Sequence, residues 1–138
     1  MANPVNELLK AIHARLMADA SLLVLIGAAG IRDRRVAGLP LPALVIGEAE
    51  TRDFSTASED GVEILLTLEA WSKIGRREAE EIAGIVRRLL HDAALDVSGH
   101  ALVSLAHRGS ISRREPKTTL FVAEVQFRAV LEPLVSAG

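Results

Sequence analysis

The chain has 138 residues, a formal net charge of −2 and no cysteine. A domain of this size buries roughly two thirds of its unfolded surface, so it needs no disulfide or metal to fold; the lack of cysteine also excludes thiol catalysis and cysteine-ligated zinc. Charged residues make up 25% and aromatic residues 3% of the chain, which gives no global basic field for nucleic acid and an aliphatic core.

Residues 4–18 carry Val5, Leu8, Leu9, Ile12 and Leu16 on one helical face, with Asn3 as cap and Pro4 in the first turn. Asp19 then precedes SLLVLIG, a short apolar turn or helix ended by Gly27. The apolar run 22–29 is too short to span a membrane, and MANPVNELL lacks the order of a signal peptide. IRDRRV reads as a brief edge strand. Gly38, Pro40 and Pro42 mark a turn before the strand ALVIGEAE, with Leu44 and Ile46 on one face and Ala43 and Val45 on the other. The polar stretch TRDFSTASED, residues 51–60, reads as a protruding hairpin loop.

A central strand runs from about Val62 to Trp71. Its even positions (Val62, Ile64, Leu66, Leu68, Ala70) are apolar and its odd positions (Glu63, Leu65, Thr67, Glu69, Trp71) are mixed, so period two sends the even set against helices. After Gly75 comes a helix with Ala79, Ile82, Ala83, Val86, Leu89 and Leu90 on one side, acids in its first turns and Arg87, Arg88 and His91 in its last. Two strands close the chain. The first, ALVSLAHRGSISRRE, is expected to bury its odd face: Ala101, Val103, Leu105 and Ile111. The second, TTLFVAEVQFRAVLE, buries Phe121 through Leu131 at odd positions and turns Glu124, Gln126 and Arg128 the other way. The turn RREPKTT joins them as a hairpin. The fold class is α+β: one domain over 1–138, with a mostly antiparallel sheet of about four to five strands and two main helices packed on one face.

No constellation for catalysis stands out. Glu78, Glu80 and Glu81 suit a helix start. His13, His91, His100 and His107 lack metal-ligand spacing, and His100 and His107, seven apart on one strand, are expected on opposite faces. G-x-S-x-G, P-loop and G-x-G-x-x-G motifs are absent, and no cofactor is expected. Arg32, Arg34 and Arg35 form one basic group and Arg113, Arg114 and Lys117 another, without the aromatic residues of single-strand binders. The odd face of the sheet mixes apolar groups and fixed charges, as assembly surfaces do.

The order of these pieces resembles the tail-completion or tail-terminator-like proteins of long-tailed phages and gene transfer agents. The match runs from NELLKAIHARLMAD through LPLPALVIGE to VQFRAVLEP. Its centre is a strand ending in Trp71 and Ser72, then Gly75, Glu78 and Ala79, then Ile82, Val86, Leu89 and Leu90. After the second LP proline, where the family often places an aromatic, this chain has Ala43.

The resemblance implies a structural virion protein, not an enzyme. Family members form a ring, usually of six subunits, on the head-proximal end of the tail tube; the ring ends polymerisation and presents a surface to the head connector. The implied partners are further copies of the chain, the tail tube protein, the head–tail connector proteins and DNA passing through the lumen without specific binding, with no membrane. The implied location is the virion or phage-like particle, assembled in the bacterial cytoplasm. On this reading Glu63, Leu65, Glu69, Trp71 and Arg128 are candidate subunit contacts. Arg52, Asp53, Phe54, Arg113, Arg114 and Lys117 are candidate contacts to the tube or connector. A head-closure or connector adaptor is the nearest alternative. A small enzyme or nucleotide-binding domain without a recognisable motif is the alternative from another class.

Overall fold

Asn3 starts the first helix, α1 (Pro4–Met17), by accepting a hydrogen bond from the Asn6 N–H at 3.1 Å, with Pro4 in the first turn where no donor is needed. Asp19 starts α2 (Ala20–Ile26) in the same way, accepting from the Leu22 N–H at 3.0 Å, and Gly27 ends it at φ 77°. Gly30 then brings the chain against α2: a Cβ there would lie 2.2 Å from the Ile26 carbonyl oxygen. Its own carbonyl accepts from Leu44 N–H at 2.7 Å, which docks β1 (Ile31–Arg32) parallel to β2 (Ala43–Asp53). The chain continues with β3 (Val62–Ser72), α3 (Arg76–Leu90), β4 (His100–Arg114) and β5 (Phe121–Pro133). These elements come from a computed structural model that describes residues 3–34, 38, 40–57 and 59–134. Arg35 and Val36 of the expected edge strand, and Ser58 of the expected loop, lie outside them.

The five strands form one sheet in the order β1-β2-β3-β5-β4, antiparallel except for the β1–β2 pair. All three helices contribute to a core on one sheet face. Leu8, Ile12 and Leu16 of α1, Leu22 of α2, and Ile82, Val86 and Leu90 of α3 meet Ile64, Leu66 and Leu68 of β3 and Val125, Phe127 and Leu131 of β5. The alternation read for β3 and β5 holds along both strands.

That reading fails in β4. Of Ala101, Val103, Leu105 and Ile111 only Leu105 is buried, while Val103 and Ile111 are 56% and 57% exposed. The register against β5 skips Val103 and Arg108, so each is an extra residue in a bulge. One extra residue inverts the side-chain parity of everything beyond it. Leu102, Leu105 and His107 therefore lie opposite Leu131, Ala129 and Phe127 on the helix side, and Ile111 lies opposite Glu124 on the open side. For the same reason His100, opposite Pro133, shares a face with His107 instead of opposing it.

The turn between β3 and α3 is fixed by Ser72, which is fully buried. Its hydroxyl accepts from the N–H groups of Ile74 (3.1 Å) and Gly75 (3.2 Å) and donates to Glu78 Oε1 (2.8 Å). One side chain thus turns the strand into the helix and ties the helix's first turn to the sheet.

Candidate functional site

The face of the sheet away from the helices carries the residues singled out by the sequence. Across it run lateral rows: Arg52 beside Glu63 beside Val130, Glu50 beside Leu65 beside Arg128 beside Ala106, and Val45 beside Glu69 beside Glu124 beside Ile111. Trp71 lies on this face as expected, yet it is only 6% exposed. It packs with Val45 and Val122 beneath Leu41 and Leu120, and its indole N–H donates to Glu69 Oε1 at 3.0 Å. This small second core covers the end of the open face. Glu63 is bonded to Arg128. Of the five candidate subunit contacts, Leu65 is left half-buried with Thr67 and Gln126 on the floor of a shallow concavity of about 240 Å³. Glu48 and Glu50 stand on one rim and Arg108 on the other.

Two groups that the sequence kept apart meet at the base of the β2–β3 hairpin. Arg52 lies 3.2 Å from Glu50 and 4.0 Å from Glu63. The Arg128 guanidinium sits 5.2 Å from the centroid of the Phe54 ring, a cation–π stack. Arg52 and Asp53 are strand residues, not loop residues as expected, so the loop is residues 54–61. It carries its own bonds. Asp53 accepts from the Ser55 hydroxyl (2.6 Å) and N–H (3.0 Å), which hold its carboxyl below the usual carboxylate range. Phe54, 50% exposed, stands at the start of this loop.

The second candidate set lies at the opposite end of the sheet. Arg113 and Arg114 are also strand residues, and the turn spans residues 115–120, closed by Glu115 N–H to Leu120 O at 2.7 Å and the return bond at the same pair's flank, Thr119 N–H to Glu115 O at 2.9 Å. Arg113 pairs with Glu124 at 2.9 Å and Glu115 at 3.9 Å, and the bond to Glu124 raises its already high pKa. Arg114 and Lys117 are exposed and, among the described residues, have no ion-pair partner. Val62 meets Asp53 and Leu131 at one end of β3, while Ser72 meets Phe121 at the other. At 3.3 Å per residue the two hairpin ends are therefore about 33 Å apart. One end is acidic around an aromatic ring and the other is basic.

His91 and His107 have structural partners. His91 Nδ1 accepts from the His107 N–H at 3.0 Å, and the His107 ring contacts Ser110 Oγ at 2.8 Å and meets Phe127 edge-on. Burial, with Arg87 and His91 nearby, lowers the His107 pKa. A groove of about 720 Å³ runs between α1 and β1, with Arg32 and Asp33 on one wall and Glu7 and His13 on the other. Among the described residues no group of three or more His, Asp or Glu could hold a metal ion, and no helix is long and apolar enough to cross a membrane. Sequence reasoning placed Arg108 on the open face but missed Glu48 and Glu50 there, and it set Leu102 beside Arg108 although Leu102 lies on the helix side; bulges in β2 and β4 set these positions, and no composition signal marks a bulge.

The sheet is crossed by internal ion pairs, and its two hairpin ends differ in charge. The chain belongs to the family of tail completion protein gp17, whose model matches residues 10–132. It is similar to a chain in the solved structure "Virion of native gene transfer agent (GTA) particle", at 26% identity and a TM-score of 0.84, covering 96% of this chain and 99% of that one. Eighteen chains of solved structures match it. No curated protein matches the chain. It is accordingly a structural, virion-associated tail protein.

Proposed function

We propose that this chain caps the head-proximal end of a tail tube as a ring, ends tube growth there and offers its far side to the head connector. The observation that carries this reading is the pair of unlike hairpin ends at opposite limits of one sheet. A head-to-tail interface that closes by rotation gives a ring with two different faces. If one face matches the tube subunit and the other does not, the next tube ring finds no complementary surface and growth stops. Arg52, Asp53 and Phe54 then lie toward one ring face, and Arg113, Arg114 and Lys117 toward the other. The family's usual six subunits give the ring number, and DNA passes through the lumen without specific binding. Likeness to a gene transfer agent virion chain over nearly its whole length supports the particle context.

Deletion of the gene followed by electron microscopy of the particles tests the reading. The expected result is tails of uncontrolled length, or tails without heads, and loss of infectivity or gene transfer. Tails of normal length joined to heads would overturn it.

A further inference from the structure

β1 ends at Arg32 and pairs with β2 only at Leu44 and Val45. Ile46, the next residue of β2, has no strand outside it among the described residues. α1 faces this place across the groove of about 720 Å³. The groove's floor is aliphatic. Leu9, Ile12, Ile31 and Ile46 line it, Ile12 from within the core and the other three half-buried against it. α1 borders the groove from Asn3 to His13, about 15 Å at 1.5 Å per residue. An extended chain covers that length with about four or five residues.

The walls hold both signs of charge. Lys10 pairs with Glu7 at 3.4 Å, and Asp33 follows Arg32 in the chain. Arg32 is the group left in need of a partner. Its Nε donates to the Ala29 carbonyl oxygen at 3.3 Å. Its Nη1 is the one buried side-chain polar atom without a hydrogen-bond partner among the described residues. Such orphans are uncommon in folded proteins, and an incoming acceptor recovers what burying one costs. A guanidinium presents a fork of N–H groups that matches the two oxygens of a carboxylate. A nucleic-acid backbone fits less well, because Glu7 and Asp33 stand on the same walls and repel a row of negative charges. A single carboxylate among aliphatic side chains meets both the buried donor and the floor.

We propose that the groove between α1 and β1 docks an extended, aliphatic segment of a partner protein, and that one carboxylate side chain of that segment binds the Arg32 guanidinium. Arg32 then serves binding and not folding. In the free chain its Nη1 is a buried donor without an acceptor, and the segment supplies one. The proposal is independent of the ring reading, since it concerns the β1 edge and not the hairpin ends.

The probe is an array of acetylated, amidated hexapeptides in which aliphatic residues surround one Asp or Glu, each beside its Asn or Gln twin. Blocked ends leave the side chain as the only carboxylate. Full-length protein is passed over the array and its retention read by surface plasmon resonance. A subset of the acidic peptides is expected to retain it, their amide twins about tenfold or more less well, and millimolar acetate is expected not to displace it. Arg32→Met and, separately, His13→Glu are each expected to weaken retention by the same peptides about tenfold or more. His13 is exposed on α1, so its replacement leaves the fold alone. Arg32→Met removes the orphaned donor, so its Tm is expected to match or exceed that of the parent. No retained peptide, or equal retention by acids and amides, would overturn the proposal. Displacement by acetate would reduce the site to one for small anions and overturn it as well. Retention unchanged in both variants would put the binding elsewhere on the chain. A lower Tm for Arg32→Met with retention intact would make the arginine structural. Self-association of the free chain that Arg32→Met abolishes, seen by analytical ultracentrifugation, would give the groove to a second copy. Each of these three results would also overturn it.

Discussion

Replacing Ser72 by alanine tests whether the Trp71–Ser72 … Glu78 pattern is a folding device. The fully buried hydroxyl holds three partners: the N–H groups of Ile74 and Gly75 and the Glu78 carboxylate. Two neutral bonds at about 1 kcal/mol each and one to a charged group at about 1.5–3 kcal/mol set a ceiling of about 4–5 kcal/mol. Lys73 and Ile74 are exposed and Glu78 is half-buried, so water takes over part of the loss, and about 2–3 kcal/mol is expected. For a chain of this length that lowers Tm by about 7–10 °C. Urea unfolding of Ser72→Ala, Glu78→Ala and the double variant measures it, with a coupling energy of about 1.5 kcal/mol or more between the two positions. A loss under about 0.5 kcal/mol for Ser72→Ala, or a coupling indistinguishable from zero, would refute the reasoning.

Gly84 is exposed inside α3, and an added Cβ there meets nothing; Gly84→Ala should raise stability by about 0.5–1 kcal/mol in urea unfolding. Gly30→Ala should do the reverse, because its Cβ would meet the Ile26 carbonyl oxygen at 2.2 Å; a drop of several degrees in Tm is expected, and an unchanged Tm would contradict the packing. Trp71→Ala should cost about 3–5 kcal/mol in folding, whereas Phe54→Ala, half-exposed, should unfold within about 1 kcal/mol of the parent yet give fewer capped tails by electron microscopy. The lowered pKa of His107 means that the unfolded chain takes up its proton first as pH falls. Stability should therefore fall as pH drops below the usual histidine value of about 6.5 and level off below the folded value; His107→Gln should flatten that slope in urea titrations between pH 7.5 and 5.

How far the fold was legible depended on the strand. Along β3 from Ile64 to Ala70 and along β5 from Ala123 to Leu131 every second residue is apolar and buried, so the helix-side face follows directly. In β4 the residues Val103 and Arg108 look like any others, yet as bulges they shift the parity twice; that property belongs to the pairing with β5, not to β4 alone. The end of β2 was read as loop because Arg52 and Asp53 carry no apolar signal, although the ladder continues through them; Arg113 and Arg114 were read both as the end of a strand and as part of the turn, and the ladder makes them strand. Trp71 was placed on the correct face, but its cover comes from Leu41 and Leu120, which only the turns of the folded chain bring over it. Likewise Glu63 and Arg128 look like free contacts in sequence. The β3–β5 register, one row apart, makes them partners.

A reconstruction of the head–tail junction in intact particles tests the central claim most directly. The account predicts a single closed ring of this chain between the last tube ring and the connector, with the 54–61 loops on one ring face and the 115–120 turns on the other. Copies placed elsewhere on the particle, or a ring whose two hairpin ends point to the same side, would contradict it.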